Sequence, residues 1–239
     1  MTRLLRGELI KVTTTRTIFA YGAMAVALAV AQVLVLVVPA WGAPMSLADK
    51  TESIAGLPLL VLLFGLVGAA GEYRHRTAAP ATLVAGRDRG ALLLARAAAY
   101  AVAAVAVAAL ATAVTLAVGL PLLADRRGPQ VGAGDVAVVV GGTLVAAALS
   151  GALGVALGAL VRNQVVAVTG TLVVIFVVLP LVQVINPTVL DVTPFGAAQG
   201  VAGAGLETLS IGAAGVVLVG WTVAALIAAI VTERRRDIA

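Results

Sequence analysis

Six long apolar runs, each bounded by charged or turn-forming residues, divide this chain. A helix needs about 20 mostly apolar residues to cross a hydrocarbon core roughly 30 Å thick, and lipid offers no partner for unpaired backbone amides. The runs are too long and too continuously apolar for the strands of a membrane barrel. They predict one all-α, polytopic transmembrane domain over residues 1–239, with spans at 18–38, 54–71, 91–120, 136–161, 165–185 and 210–231.

Composition agrees with an integral membrane protein, because 62% of the residues are apolar and only 11% are charged. The chain has no cysteine, which excludes a disulfide framework, a thiol nucleophile and a thiolate metal site. The polar lead-in and the length of the first run exceed the 7–15-residue core of a usual signal peptide. We therefore expect the first span to be retained.

The basic residues are distributed unequally between the loops. With the N-terminus in the cytoplasm, thirteen of the sixteen Lys and Arg residues fall on the cytoplasmic side, and Lys50, Arg126 and Arg127 fall outside. This asymmetry follows the positive-inside rule for six spans with both termini in the cytoplasm. It accounts for the net charge of +5 without a nucleic-acid partner and predicts a multi-pass protein of the cell membrane.

A basic island between the second and third spans is the largest polar segment predicted on the cytoplasmic side. It covers residues 72–96 and contains Arg74, His75, Arg76, Arg87, Arg89 and Arg96. One interpretation is that the island only fixes the membrane topology and binds anionic lipid headgroups. The other is that it contacts a soluble partner, which Glu72, Tyr73 and the breaks at Pro80 and Gly86 favour because topology does not require them.

The centres of the predicted spans contain no Asp, Glu, Lys, Arg or His. Ionisable residues within a membrane mark proton relays and ion-coupling sites, so the pattern argues against an ion-driven pump. The one histidine is in the basic island, which leaves Ser150 without a general base and zinc without enough ligands. No G-x-x-x-x-G-K-[ST] motif is present. We expect no catalytic residue, metal or cofactor in this chain.

Neutral polar and small residues are the remaining candidates within the spans. Gln32, Gln183 and Asn186 are candidates for a substrate pathway or gate, and Pro180 is expected to bend the fifth span. The fourth span carries small residues at four- and three-residue spacings, which allow close helix approach either within the subunit or at a dimer seam. These residues are Ala147, Gly151, Gly154 and Gly158.

The N-terminal lead-in, residues 1–17, has the pattern of a short interfacial helix. Leu5, Leu9 and Val12 fall on one side of it. We expect this side to lie in the acyl boundary, with the basic residues directed toward anionic lipid. The basic residues are Arg3, Arg6, Lys11 and Arg16.

The order of several short motifs resembles the permease subunits of ABC-2 type exporters over essentially the full length. The motifs are Glu-Leu-Ile-Lys at 8–11 with Arg16, Glu-Tyr-Arg-His-Arg-Thr at 72–77, Leu-Val-Ala at 83–85 followed by Arg87, Arg89 and Arg96, Arg-Asn at 162–163, and Arg-Arg-Asp at 235–237. The resemblance implies the transmembrane domain of an efflux permease that lacks its own ATPase.

The same resemblance implies the partners. Two permease subunits, identical or paralogous, would work with two cytoplasmic ATPase subunits that bind ATP and Mg. The segment 72–90 would hold a coupling helix that docks on the ATPase, and residues 232–239 would form a cytoplasmic tail. The coupling residues implied by position are Glu72, Tyr73, Arg74, Thr77, Arg87 and Arg89.

An apolar path with neutral polar groups suits a hydrophobic or amphipathic substrate, such as a drug, lipid or peptide. Two other functions stay open from the sequence. One is a membrane subunit that recruits a partner or gives immunity without transport, and the other is a six-span secondary carrier. An ion-gradient requirement without nucleotide would favour the carrier, whereas a stable complex without flux would favour the recruiter.

Overall fold

The computed structural model describes residues 2–38, 43–74, 89–186, 188–203 and 209–235, and the side chain of Arg74 is outside this description. Within these ranges the regular structure is helical, and no strand is present. The helices are α1 (Thr2–Thr14), α2 (Arg16–Val37), α3 (Leu47–Ser53), α4 (Pro58–Arg74), α5 (Arg89–Ala124), α6 (Ala133–Val161), α7 (Gln164–Val173), α8 (Leu179–Ile185), α9 (Val189–Val192), α10 (Pro194–Val201) and α11 (Ile211–Arg235). A π-helical turn, Val174–Val178, joins α7 to α8.

Six helical segments in the described ranges are long and apolar enough to cross a membrane. They are α2, the segment Leu47–Tyr73 that ends with α4, α5, α6, the α7–α8 segment and α11. The all-α architecture predicted from the apolar runs is therefore confirmed. The long helix of the second span, α4, begins at Pro58 rather than at the predicted residue 54, because residues 47–53 form the separate helix α3. A proline is well tolerated in the first helical turn.

The most extensive helix–helix contact joins α4 to α6 and depends on glycine. A Cβ atom at Gly154 would overlap the carbonyl oxygen of Leu62, and one at Gly158 would overlap that of Leu66. On α4, Gly65 lies equally close to the backbone of Gly151. The small-residue spacing of α6 thus serves packing within the subunit, and the hypothesis that this face is a dimer seam is wrong.

The helices define two ends of the bundle. The charged end contains α1, the end of α4, the start of α5, the end of α6 and the end of α11, which ion pairs and hydrogen bonds bring together. The opposite end contains α3 and the turn after α5, where Met45 N–H donates to the carbonyl of Arg127 at 3.0 Å. Gly128 in this turn has φ of 110°, a left-handed conformation that favours glycine.

Lys50, one of the three basic residues predicted outside the cytoplasmic side, has a packing role in the structure. Its side chain is fully buried, and its Nζ donates to the carbonyls of Arg126 at 3.1 Å and Leu123 at 3.5 Å. These carbonyls lie at the C-terminus of α5, where a cation interacts favourably with the helix dipole. A capping box between Ser46 and Asp49 fixes the start of α3 and so positions Lys50.

The fifth span is the least buried of the six. Its π-helical turn precedes Pro180, which has no N–H to donate and interrupts the regular hydrogen-bond ladder. The segment nevertheless continues as helix to Ile185. Gln183 and Asn186 are both exposed, and the Asn186 side chain accepts hydrogen bonds from Thr188 to form the turn that follows.

Candidate functional site

The site is at the charged end and begins with the way α1 packs. Val12 is buried against the cluster that contains Phe64 and Tyr100, and Leu5 and Leu9 pack at its margin. This packing differs from the expectation that the apolar side of α1 lies in the acyl boundary. The reason is that α5 offers α1 an apolar surface and a buried arginine, so protein covers the inner side of the helix.

Four ionised side chains form what we call the charge quartet: Glu8, Lys11, Glu72 and Arg96. The Arg96 guanidinium pairs with Glu72 and lies 3.5 Å from the Glu8 carboxylate. Lys11 pairs with Glu72 and lies 3.6 Å from Glu8. Arg96 is only 3% exposed and both carboxylates are buried, whereas Lys11 reaches the surface. Two positive and two negative charges balance, as buried charges require.

A second group, the Tyr73 cluster, consists of Tyr73, Arg89, Arg162 and Glu233. The Tyr73 hydroxyl donates to the Glu233 carboxylate, which also accepts from Arg162 Nη2 at 2.8 Å. The Arg162 guanidinium lies over the Tyr73 ring, 5.0 Å from its centroid. Arg89 Nη1 donates to the Glu233 carbonyl at 3.3 Å. The cluster therefore joins the end of α4 to α5, α6 and α11.

Arg162 reaches this position because α6 ends there. Its backbone is in the left-handed conformation, with φ of 59°, which stops the helix and redirects the chain. Asn163 then caps α7 by accepting from the N–H groups of Val165 and Val166. The Arg-Asn pair at 162–163 thus ends one span and starts the next.

The two groups are adjacent because Glu72 and Tyr73 are consecutive residues in the last turn of α4. Glu72 connects this turn to α1 and α5, and Tyr73 connects it to α6 and α11. The end of α4 is consequently fixed from two sides. The segment 75–88 continues from this turn and lies outside the described residues, together with the predicted coupling residues Thr77 and Arg87.

The described coupling residues fall on both sides of that segment. Arg74 ends α4 and Arg89 begins α5. Glu72 is 6% exposed and its carboxylate is engaged by side chains of this chain. Its geometry suits positioning of the helix end better than direct contact with a partner.

Aromatic side chains continue from the charge quartet into the bundle. Phe64 lies between Tyr21 and Tyr100. Its ring centroid is 5.2 Å from that of Tyr21 and 5.0 Å from that of Tyr100. Tyr100 is one helical turn from Arg96 on α5, and Gly68 leaves room for its ring, which a Cβ would overlap. Packed side chains therefore connect the quartet with the middle of the bundle.

A pocket lies beyond this aromatic group, among α2, α4, α5 and α6. The space open to the centre of a water-sized sphere is about 30 Å³, the pocket opens to the exterior, and no ionisable side chain of the described residues lines it. The polar lining side chains are Thr112, Thr115 and Thr143, and the rest is mainly alanine and small aliphatic residues. Thr143 accepts from the N–H of Gly56 at 3.1 Å. The pocket is suited to an uncharged, largely apolar group.

The three pathway candidates are in different environments. Gln32 Nε2 donates to the carbonyls of Glu52 and Ala55 at 2.9 and 3.3 Å, and Ala55 lines the pocket. Gln32 thus joins the first span to the pocket rim. Gln183 and Asn186 are exposed on the fifth span and do not line this pocket.

Two acidic members of the site, Glu8 and Glu233, were missed from the sequence as site residues, whereas Glu72 was predicted. The sequence places Glu8 in a family motif and Glu233 in the tail, and it directs Lys11 toward lipid. A usable signal was present, since acids are outnumbered by thirteen basic residues on the predicted cytoplasmic side. Across the described ranges, no group of three His, Cys, Asp or Glu side chains could hold a metal ion.

Comparisons with known protein families and with curated proteins find no match for this chain.

Proposed function

We propose that this protein is the permease subunit of an ATP-driven exporter of the ABC-2 type, resident in the cell membrane with both termini in the cytoplasm. The observation that carries the proposal is the fixed end of α4, where Glu72 and Tyr73 connect to four other helices. Such an arrangement would transmit a displacement of the segment 75–88 to most of the bundle rather than to one helix.

The energy would come from a soluble partner. Two ATPase subunits that bind ATP and Mg would change their separation on nucleotide binding and would push on the segment 72–90. Glu72 and Tyr73 act as positioning residues in this mechanism. Arg74, Thr77, Arg87 and Arg89 are the proposed docking residues, because they flank or occupy the segment that would meet the partner.

The pocket supports a hydrophobic or amphipathic substrate. The lining that the described residues form carries no charge, and burial of an unpaired ion there would be costly, so a multiply charged molecule is disfavoured. Movement of α4 would reach the pocket directly, since Leu60 and Val61 belong both to α4 and to the lining. A second permease subunit, identical or paralogous, would complete the exporter.

Purification of the affinity-tagged protein from native membranes in mild detergent tests the proposal. We expect an ATPase subunit with a G-x-x-x-x-G-K-[ST] motif to copurify and to hydrolyse ATP in a vanadate-sensitive manner. Arg74→Gln and Arg89→Gln should lower that hydrolysis without reducing the amount of permease in the membrane. Arg127→Gln, which removes an exposed charge at the opposite end, is the matched control.

Three results would overturn the proposal. A stable complex that does not hydrolyse ATP would favour the recruiting or immunity subunit. Flux in proteoliposomes that depends on an ion gradient and not on nucleotide would favour the secondary carrier. Equal ATP hydrolysis in the wild type and both arginine variants would remove the segment 72–90 from the mechanism.

A further inference from the structure

At the charged end, the described acidic side chains face inward and most basic side chains face outward. The acids described there, Glu8, Glu72 and Glu233, face inward and are engaged in ion pairs. Five of the charged residues described at the same end are exposed, and all five are arginine: Arg3, Arg6, Arg16, Arg234 and Arg235. The Lys11 side chain also reaches the surface, but it is paired with Glu72. The charge quartet and the Tyr73 cluster thus leave a positive surface, because they remove the negative charges from it.

The outer side of α1 combines this charge with apolar surface. Arg3, Arg6 and Ile10 recur at spacings of three and four residues, which places them on one helical side, and all three are exposed. Ile10 is 54% exposed, and Phe19 near the start of α2 is 71% exposed. Protein covers the inner side of α1 through Val12, so the outer side is what the helix presents to its surroundings.

We propose that the outer side of α1, with Arg16, binds the phosphate headgroups of anionic phospholipids. A soluble acidic protein would also neutralise the arginines, but the exposed Ile10 and Phe19 favour a surface that offers acyl chains beneath the phosphates. The position is appropriate, because α1 leads directly into the first span at Arg16. Guanidinium groups bind phosphate oxygens in a bidentate manner.

This inference does not depend on the partner ATPase. It assigns to α1 two functional sides, of which the inner one holds the end of α4 through Lys11 and the start of α5 through Glu8. The outer one would anchor the same helix to the leaflet. The lipid surface would therefore help to set the position of the helix that carries half of the charge quartet.

Fluorescence quenching by spin-labelled lipids tests the proposal. Because the chain has no cysteine, Thr13→Cys gives one site for a fluorophore, and Thr13 is exposed on α1. The full-length labelled protein would be reconstituted in nanodiscs containing either spin-labelled phosphatidylglycerol or spin-labelled phosphatidylcholine at equal concentration. We expect stronger quenching by phosphatidylglycerol, with a preference that falls as salt is raised.

Arg3→Gln with Arg6→Gln should reduce the lipid preference by roughly fivefold for each arginine removed. Arg127→Gln, at the opposite end, should leave it unchanged. Equal quenching by the two lipids, or an unchanged preference in the double variant, would overturn the proposal. Loss of quenching by both lipids when a copurified acidic protein is present would assign the surface to that protein instead, which also overturns it.

Discussion

Single side chains matter most in this protein where charges are buried. The quartet holds the Arg96 guanidinium and two carboxylates largely out of solvent, with Lys11 at its outer edge, and buried ions are tolerated only when their partners are present. Removal of one partner leaves another charge uncompensated, so the free energy of unfolding falls by more than the contribution of one contact. The quartet is therefore a sensitive point for stability as well as for the proposed coupling.

Glu72→Gln should lower the free energy of unfolding by about 3–5 kcal/mol, because Lys11 and Arg96 would lose the carboxylate they share. Thermal or SDS-induced unfolding of the purified protein in detergent measures this loss. Glu52→Gln, which alters an exposed carboxylate, should have little effect. If both variants unfold alike, Glu72 is not part of a buried ionic group.

Lys50→Met should destabilise the opposite end of the bundle by about 1–3 kcal/mol, since the carbonyls of Leu123 and Arg126 would lose a buried donor. The same unfolding assay applies, with Arg127→Gln as the control because its side chain is exposed. An unchanged Lys50→Met protein would show that the ammonium group does not hold the end of α5.

The helix pair α4–α6 is the main structural unit at the scale of elements. Its glycines allow the two backbones to approach closely, and the pair carries both a wall of the pocket and the last turn that holds Glu72. Close backbone packing leads us to expect that the pair moves as one body. A shift at the charged end would therefore be carried along α4 and α6 together.

Gly154→Ala should cost about 1–3 kcal/mol, because the added methyl group overlaps the carbonyl of Leu62 and forces the helices apart. Gly141→Ala is a matched control on the same helix, where a Cβ meets nothing within 4 Å. That variant should be neutral or more stable by up to about 1 kcal/mol. Only the Gly154→Ala curve should therefore shift to lower stability, and equal destabilisation of both variants would refute the packing argument.

The spans could be predicted from the sequence because apolar run length is a local property that lipid enforces. Glu72 and Tyr73 were also found from the sequence, as acidic and aromatic residues that topology did not require. Their remote partners could not be found, since Lys11 is 61 residues from Glu72 and Glu233 is 160 residues from Tyr73 in the chain. Lys50 was treated as an external charge for the same reason, because its burial depends on where α5 ends.

In its described ranges the whole molecule is a helical bundle in which six segments are long and apolar enough to span a membrane, and its charged side chains lie mainly at the two ends. At the charged end, the internal ion pairs fix helix termini and leave arginine outside. At the opposite end, Lys50 is used for internal packing, which removes one positive charge from that surface. The difference in exposed positive charge between the two ends thus supports the proposed orientation, with the charged end in the cytoplasm.

Site-directed labelling tests the central claim that the segment joining α4 to α5 faces the cytoplasm, where a soluble motor could reach it. Ala79→Cys in this cysteine-free chain would be treated with a membrane-impermeant maleimide in intact cells and in inverted vesicles. Asp125→Cys, at the opposite end, is the control. We predict that Ala79→Cys is labelled only in inverted vesicles and Asp125→Cys only in intact cells; labelling of Ala79→Cys from outside intact cells would contradict the account.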